Sequence, residues 1–267
     1  MENLPGGGSA HGNSRTSGLN VADRVVVITG ASSGIGAALA EELGHRGDAV
    51  VLAARREARL REVAAKSGGK ALVVVADVSK RDEVRRLVAA ALGRFGRIDI
   101  WVNNAGQGIT RLPSQLTDED IDEMMTVNVK SVLYGMQEVL PHFQSRNAGQ
   151  IINISSMLGR IPVALHRAAY TAAKHYLNAL TANFRDELRD RYPGIQVTLV
   201  SPGVVETEFI ANALHGGPGS GMSDAQSPGE VARVIAEVMD SRRPDVYTKA
   251  GASARVVKYY EVNGSDP

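Results

Sequence analysis

The sequence predicts an α/β protein in which one doubly wound, parallel sheet of about seven strands is flanked by helices on both faces. From Asp23 onward, short runs rich in Val, Ile and Ala alternate with longer segments of helical periodicity. Most of the short runs are continuously apolar, which is typical of strands that are covered on both faces. Repeated βα alternation favours parallel strands joined by right-handed crossovers, the arrangement of a Rossmann fold.

The elements are expected in βα order along the chain. The apolar runs predict strands at Val25–Thr29, Ala49–Ala53, Ala71–Ala76, Ile98–Asn103, Gln150–Ser155, Gln196–Ser201 and Asp245–Thr248. Helical periodicity predicts helices near 34–46, 57–66, 80–93, 118–145, 170–190 and 228–241. In the helix at 118–145, the apolar stripe contains Asn128. A buried amide must be hydrogen-bonded, so Asn128 is either a structural residue or part of a site.

Composition and charge exclude several classes of function. The 267 residues are 43% hydrophobic and 22% charged, as in ordinary globular proteins. A net charge of +1 gives no bulk attraction to nucleic acid or to anionic membranes, so neither is expected as a partner. The absence of Cys rules out disulfides and cysteine catalysis and fits a reducing compartment. No metal site is predicted.

The chain is expected to form one large domain with two extensions. Residues 1–21 are predicted to be flexible because they are rich in Gly, Ser and Asn and lack the apolar segment of a signal peptide. Residues 22–250 form the predicted domain, and residues 251–267 a C-terminal tail. No apolar run approaches the roughly 20 residues of a membrane-spanning helix, so the expected location is cytoplasmic.

A glycine-rich turn joins the first predicted strand to the first predicted helix. Its sequence is TGASSGIG, residues 29–36, with the spacing Gly-x-x-x-Gly-x-Gly. Glycines permit a tight turn and close approach of a pyrophosphate to the backbone, while a helix N-terminus offers N–H donors to it. The strand–turn–helix context favours a dinucleotide site over a turn that binds no ligand.

Tyr170 and Lys174 are four residues apart in a predicted helix, so both lie on one face. An ammonium group near a phenol stabilises the phenolate and lowers the phenol pKa. Such a pair can donate a proton to a carbonyl oxygen or accept one from an alcohol. Alone, the spacing also occurs by chance in many helices.

Three motifs together, TGASSGIG, NNAG at 103–106 and YTAAK at 170–174, resemble the short-chain dehydrogenase/reductase family in its single-domain branch. The resemblance covers roughly residues 22–250. It implies a nicotinamide cofactor and hydride transfer between a carbonyl and a primary or secondary alcohol. The residues that it assigns to the cofactor are Gly30, Ser32, Ser33, Gly34, Ile35, Gly36, Arg55, Arg56, Asp77, Val78, Asn104, Ala105, Gly106, Tyr170, Lys174, Pro202, Gly203, Val205 and Thr207.

The end of the second strand predicts the form of the cofactor. Dinucleotide folds that select NAD place an acidic side chain there to bind the ribose 2′-hydroxyl. This chain instead has Arg55 and Arg56, whose guanidinium groups can bind a 2′-phosphate. NADP(H) is therefore expected. By analogy with NADP-preferring relatives, the resemblance implies Arg55 as the main phosphate contact, with Arg56 assisting or stacking on adenine. The alternative is that both arginines are simply solvated.

The resemblance implies four catalytic residues, Asn128, Ser156, Tyr170 and Lys174. Tyr170 would transfer the proton, Lys174 would lower its pKa and bind the nicotinamide ribose, Ser156 would hold the substrate oxygen, and Asn128 would bind a water leading to the lysine. The separation of Ser156 from Tyr170 is one residue longer than in many relatives, which leaves Ser155 as an alternative.

The segment from about 204 to 227 is expected to be a substrate lid. Phe209, Ile210 and Leu214 suggest an apolar cover and hence an apolar or aromatic carbonyl substrate. His166 and His215 are further candidates for substrate contact, although a loop histidine is usually solvated.

The same residues allow two other functions, and the resemblance also implies an oligomer. A Tyr-x-x-x-Lys epimerase or dehydratase is disfavoured by the length of the chain, and a catalytically idle NADP-binding sensor or scaffold by the presence of Tyr, Lys and Ser. In the family, helices that match 118–145 and 170–190 commonly form a dimer interface, so a homodimer or homotetramer is expected. Close helix approach would use four alanines, Ala168, Ala169, Ala172 and Ala173.

Overall fold

The computed structural model describes residues 23–216 and 224–264 and contains one seven-stranded parallel sheet. The strands follow the order β3-β2-β1-β4-β5-β6-β7. Their bounds are Val25–Thr29 (β1), Ala49–Ala54 (β2), Ala71–Val75 (β3), Ile100–Asn103 (β4), Gly149–Ile154 (β5), Ile195–Ser201 (β6) and Asp245–Tyr247 (β7). The predicted sheet is confirmed, with most strand ends within one residue of expectation.

Eight α-helices are described alongside the sheet in residues 23–216 and 224–264. They are Gly34–His45 (α1), Glu57–Lys66 (α2), Arg81–Phe95 (α3), Asp118–Met125 (α4), Ser131–Arg146 (α5), Ala168–Arg189 (α6), Pro228–Ser241 (α7) and Ala252–Asn263 (α8). The segment expected as a C-terminal tail thus includes a helix, α8, whose Tyr260 hydroxyl donates to the Arg160 carbonyl at 2.8 Å.

Side chains from alternate positions of each strand pack into two separate cores, one on each face of the sheet. Val25 and Val27 of β1 pack with residues of α3, α5 and α6, while Val26 and Ile28 pack with residues of α1, α2 and α7. Because successive side chains of a strand point to opposite faces, most positions of a doubly covered strand are apolar. This packing explains the continuous apolar runs of the sequence.

The order of the strands fixes where a ligand can bind. The chain builds β1, β2 and β3 outward in one direction and then returns, so that β4 pairs with the other side of β1. In doubly wound sheets, ligands bind beyond the carboxyl ends of the strands at this point of reversal. Here the residues that follow β1 and β4 are the glycine-rich turn and the NNAG motif.

The helix predicted at 118–145 is interrupted by a π-helical turn, Thr126–Lys130, between α4 and α5. The wider turn sets the Asn128 side chain in the protein interior, where it is fully buried. π-Helical turns often occur at functional sites. The expectation of one continuous helix was wrong because apolar periodicity is nearly unchanged by a single wider turn.

Other predictions fall partly outside the described residues. The N-terminal extension, residues 1–21, lies outside them, as does the glycine-rich part of the proposed lid, residues 217–223. The division of the chain into one domain with two extensions stays a prediction. Within the described part of the chain, no helix is long and apolar enough to cross a membrane.

Candidate active site

The glycine-rich turn is packed so tightly that two of its positions accept no side chain. Gly30 has φ of +67°, and a Cβ there would lie 2.8 Å from the Ala105 Cα. A Cβ on Gly36 would lie 2.5 Å from both the Asn104 Nδ2 and the Gly30 carbonyl oxygen. Glycine is required where backbones approach this closely or where φ is positive. The glycine-rich turn therefore brings the N-terminus of α1 into direct contact with the segment that follows β4.

The N-terminus of α1 is open for an anion. Ser33 precedes the helix in an extended conformation, and its side chain does not cap a helix N–H group. A cleft of about 560 Å³ lies there, lined by Ser33, Gly34, Glu206, Thr207, Glu208 and Pro228. Uncapped N–H groups at the positive end of a helix dipole suit a pyrophosphate. The residues present thus fit a dinucleotide, with Gly34, Ile35 and Gly36 at the helix start.

Arg55 and Arg56 occupy different surroundings at the end of β2. Arg56 donates to the hydroxyls of Ser32 and Ser33, the latter at 2.7 Å, and forms an ion pair with Glu208 at 3.4 Å. Arg55 is exposed and lies near Asp77. One guanidinium therefore already contacts the glycine-rich turn, and a bound phosphate would compete with Glu208 for it.

Asp77 and Val78 follow β3, where the family resemblance predicts contact with the adenine of the cofactor. The Asp77 carboxylate accepts from the backbone and hydroxyl of Ser79, at 3.1 and 2.7 Å. Burial acts to raise the pKa of Asp77, but these hydrogen bonds and the charge of Arg55 outweigh it and lower the pKa. Val78 packs against the core. Asp77 is thereby held ionised and in a fixed orientation.

The segment Asn104–Gly106 connects the glycine-rich turn to the buried interior of the site. The Asn104 amide donates to the Thr29 carbonyl at 2.9 Å, and the Thr29 hydroxyl accepts from the Ala105 N–H at 3.1 Å. A Cβ on Gly106 would lie 3.1 Å from Asn128 Oδ1 and 3.8 Å from Lys174 Nζ. The expected structural and binding roles of this segment are therefore compatible.

Asn128 is fully hydrogen-bonded within the protein. Its Oδ1 accepts from the Gln107 N–H at 3.2 Å, and its Nδ2 donates to the Gln107 carbonyl at 2.9 Å and the Met124 carbonyl at 3.2 Å. These bonds satisfy the buried amide that the sequence places in an apolar stripe. Asn128 thus fixes the segment after β4 onto the π-helical turn.

Tyr170 and Lys174 lie one turn apart on α6, and both are buried. The Lys174 ammonium lies 5.6 Å from the centre of the Tyr170 ring and donates to the Ile154 carbonyl, at the end of β5, at 3.0 Å. The phenol and the ammonium are therefore both placed at the carboxyl edge of the sheet, where the ligand crevice lies.

The pKa of Tyr170 is raised, not lowered, in this structure. Burial raises it to about 12, and the hydroxyl of Ser156 and the charge of Arg167 only partly oppose this rise. Burial also lowers the pKa of Lys174 to about 8. The expected lowering of the Tyr170 pKa by Lys174 is wrong here because desolvation dominates and the ammonium is bound to a carbonyl. At neutral pH, Tyr170 carries the proton that a carbonyl oxygen would need.

The two serines after β5 face different partners. Ser155 is buried and donates to Asn178 Oδ1 on α6 at 2.5 Å. Ser156 is partly exposed, interacts with the Tyr170 hydroxyl, and accepts from the Leu158 N–H at 3.1 Å. Of the two alternatives, the structure brings Ser156 to Tyr170 and gives Ser155 a structural bond.

The segment after β6 passes over the cleft and then covers Tyr170. The Pro202 carbonyl accepts from the Met157 N–H at 2.8 Å, and Thr207 reaches 3.1 Å from a Cβ placed on Gly34. Gly203 and Val205 lie between them, and Val205 forms a parallel bridge with Gln226. This segment therefore runs from the carboxyl end of β5 to the start of α1.

An apolar cover lies directly on Tyr170. The Phe209 ring meets the Tyr170 ring edge to face at 5.4 Å, and Leu214 forms a bridge with Ile109. His215 Nε2 donates to the Asp120 carboxylate at 2.6 Å, and the histidine is exposed. His166 is exposed. Neither histidine is brought to the Tyr170 hydroxyl.

Sequence reasoning missed two residues of the site. Asn178 joins Ser155 to the Gly159 carbonyl, to which it donates at 2.6 Å. Arg167 precedes α6 and lies close enough to Tyr170 for its charge to lower the phenol pKa. Asn178 falls eight residues after Tyr170, near the same helix face, and that spacing was the available signal. Arg167 was visible only as one basic residue in an unassigned loop.

A sequence profile of the short-chain dehydrogenase family matches residues 24–216 of this chain. An uncharacterized oxidoreductase of Staphylococcus epidermidis is 39% identical over 196 residues, which cover 73% of this chain and 84% of that protein. The profile thus spans the glycine-rich turn, Asn128, and the Tyr170–Lys174 pair.

Solved structures agree with this assignment. A short-chain dehydrogenase/reductase from Burkholderia phymatum, in complex with NAD, has a TM-score of 0.83 at 26% identity, covering 92% of this chain and 98% of that one. An alcohol dehydrogenase from the archaeon Thermococcus sibiricus, complexed with 5-hydroxy-NADP, has a TM-score of 0.74 at 28% identity, covering 84% and 95%. This chain is an oxidoreductase of the short-chain dehydrogenase family.

Proposed function

We propose that the protein is an NADP(H)-dependent oxidoreductase that interconverts a carbonyl and a primary or secondary alcohol, with Tyr170 as the acid and base. The observation that carries this proposal is the placement of Tyr170, Lys174 and Ser156 around one point at the carboxyl edge of the sheet. The same edge holds the uncapped start of α1, so a dinucleotide seated there would extend toward Tyr170.

The proton transfer follows from the state of the side chains. The bound cofactor supplies or accepts the hydride. Ser156 donates to the substrate oxygen and orients it, while the protonated phenol of Tyr170 gives its proton to that oxygen in the reductive direction. The Lys174 ammonium is attracted to the phenolate that forms. Asn128 holds the Gly106–Gln107 backbone beside Lys174 and keeps this end of the site in place.

The preference for NADP(H) is supported by charge at the end of β2. Arg55 directly follows Ala54, the last residue of the strand, where an acidic side chain would repel a 2′-phosphate. Arg56 lies beside the hydroxyls of Ser32 and Ser33. One structural relative is in complex with NAD and another with an NADP derivative, so the relatives do not distinguish the two cofactors. The proposed preference for NADP(H) therefore rests on the two arginines.

The proposed substrate is a small carbonyl compound with an apolar or aromatic body. Phe209 and Leu214 pack with Ile109, Met124 and Leu158 in the apolar cluster that surrounds Tyr170. We further propose a cytoplasmic location and a homodimer or homotetramer formed through α5 and α6. On α6, Ala169 and Ala173 pack inside the subunit, while Ala172 is exposed and available for such a contact.

A cofactor comparison tests the proposal. NADPH oxidation is measured with a panel of ketones and aldehydes, and kcat/KM is compared between NADPH and NADH. The proposal expects turnover of at least one carbonyl compound and a preference for NADPH. Equal values, or values that favour NADH, would contradict the cofactor assignment. Tight NADPH binding with no turnover across the panel would favour the idle sensor.

A further inference from the structure

Arg167 is a partly buried cation beside the proposed acid, and its guanidinium has no acceptor among the described residues. Its Nη1 is buried and has no hydrogen-bond partner among residues 23–216 and 224–264, and no carboxylate of those residues lies within ion-pair distance. Burial lowers the pKa of Arg167, and the neighbouring Tyr170 only partly opposes this. Leaving a charged donor buried and unpaired is costly, so such a group calls for a partner, which a bound ligand can supply.

The other cations around the cover are already neutralised. Arg111, whose backbone forms a bridge with Arg167, binds the Asp120 carboxylate at 2.6 Å. The same carboxylate binds His215, and Arg56 pairs with Glu208. Within the described ranges, Arg167 and Lys174 are therefore the cations next to Tyr170 that have no carboxylate partner, and of the two only Lys174 has a protein acceptor, the Ile154 carbonyl.

Arg167 and Tyr170 lie under one cover. A Cβ on Gly108 would lie 2.9 Å from Phe209 Cε1, 3.2 Å from Arg167 Nη1 and 3.3 Å from Ala213 Cβ. Phe209 in turn packs against the Tyr170 ring. The lack of a side chain at Gly108 leaves room for the guanidinium beneath Phe209. A substrate that displaces Phe209 would therefore meet the guanidinium and the phenol together.

Two further buried polar atoms without partners lie on the same segments. Among the described residues, the side-chain atoms of this kind are Arg167 Nη1, Thr110 Oγ1 and Thr171 Oγ1. Thr110 precedes Arg111 on the strand-like segment that bridges to Arg167, and Thr171 follows Arg167 by one helical turn. Unsatisfied polar atoms are rare in folded proteins, and three of them on two bridged segments, one of which carries Tyr170, indicate a place for a polar group of the substrate.

From this arrangement we infer that the substrate is an oxo acid, a carbonyl compound that carries a carboxylate, and that Arg167 binds the carboxylate while Tyr170 acts at the carbonyl. The inference rests on the proposed function and narrows its substrate class. An arginine fork matches the two oxygens of a carboxylate, and its hydrogen bonds are strongest when both partners are charged. The apolar cover around Phe209 would then enclose the body of the acid.

Matched acids and esters test the inference. The probes are 2-oxo and 3-oxo acids with aliphatic or aromatic bodies, together with their methyl esters, which keep the carbon skeleton and lose the charge. Binding to the NADPH-loaded protein is measured by titration, and kcat/KM is measured for those that react. The variants are Arg167→Met and, as a control for loss of a nearby positive charge, Arg111→Met.

The expected result is a preference of the unaltered protein for an acid over its ester. Arg167→Met should weaken acid binding by about 10- to 100-fold, the factor that a hydrogen bond to a charged group is worth. It should leave ester binding nearly unchanged, and Arg111→Met should keep the preference for the acid. Arg167→Lys keeps the charge and loses the two-pronged guanidinium, so its affinity for the acid should lie between those of the unaltered protein and Arg167→Met.

Three outcomes would overturn the inference: no binding of any acid, tighter binding of esters by the unaltered protein, or an acid preference that persists in Arg167→Met. NADPH binding by each variant shows that it is folded. Failure of the proposed function would appear separately, as no turnover of either acids or esters by protein that binds NADPH, while the binding titrations still decide the role of Arg167.

Discussion

Burial of Lys174 should make the stability of the protein rise with pH above neutrality. Burial lowers the pKa of Lys174 from its ordinary value of 10.5 to about 8. Between these values, the unfolded chain keeps a proton that the folded protein has released. Stability rises with pH wherever the unfolded state binds more protons, so the free energy of unfolding should increase across this window.

The size of the effect follows from the shift in pKa. Each pKa unit corresponds to about 1.4 kcal/mol, so the whole window from about pH 8 to 10.5 contributes about 3 kcal/mol. About 2 kcal/mol of this gain falls between pH 7.5 and 9.5. Tyr170 acts with the opposite sign at higher pH. Burial raises its pKa from 10.0 to about 12, so stability should fall with pH between those values.

The assay is denaturant unfolding at a series of pH values, with Lys174→Met compared with the unaltered protein. The free energy of unfolding of the unaltered protein, taken relative to that of Lys174→Met, should increase by about 2 kcal/mol between pH 7.5 and 9.5. Lys130→Met serves as the control, because Lys130 is exposed. The reasoning is refuted if the Lys174→Met and unaltered curves stay parallel over this range.

Three further predictions concern the core and the cofactor. A Cβ on Gly135 would lie 2.3 Å from Asn103 Oδ1, so Gly135→Ala should lower the free energy of unfolding by about 1–3 kcal/mol. A Cβ on Gly93 would meet open space, so Gly93→Ala should not lower the free energy of unfolding. Equal losses for the two variants in denaturant unfolding would contradict the close packing at Gly135. Arg55→Ala should lower kcat/KM for NADPH by about 10-fold and leave that for NADH nearly unchanged, since a charged hydrogen bond to the 2′-phosphate is lost; a uniform loss would argue against the assignment. Glu208→Gln should tighten NADPH binding by up to about 5-fold in a titration, because it frees Arg56 from an exposed ion pair. Weaker binding would contradict this competition.

Much of the fold could be predicted because it depends on local patterns. Strands covered on both faces need apolar residues at most positions, and the glycine-rich turn needs its glycines for close contact with residues 104–105. Both requirements leave a direct trace in the sequence. The helix α8 left a weaker trace, because only Ala252 of its twelve residues is buried and its apolar residues, such as Val257, are largely exposed.

The site was predictable in its motifs and less so in its electrostatics. The pairing of Ser156 with Tyr170, and of Ser155 with Asn178, depends on the direction of the chain after β5, which no spacing rule gives. The raised pKa of Tyr170 depends on its complete burial beneath Phe209, a contact between residues 39 positions apart. The unpaired state of Arg167 likewise depends on which carboxylates the fold brings near it.

Removal of the Tyr170 hydroxyl tests the proposed reaction most directly. Tyr170→Phe keeps the ring that packs against Phe209 and deletes the proton that is proposed to be transferred to the substrate oxygen. With a carbonyl substrate from the panel, kcat should fall by about 10²- to 10⁴-fold, while the Kd for NADPH stays nearly the same. Turnover by Tyr170→Phe at a rate close to that of the unaltered protein would contradict the assignment of Tyr170 as the acid.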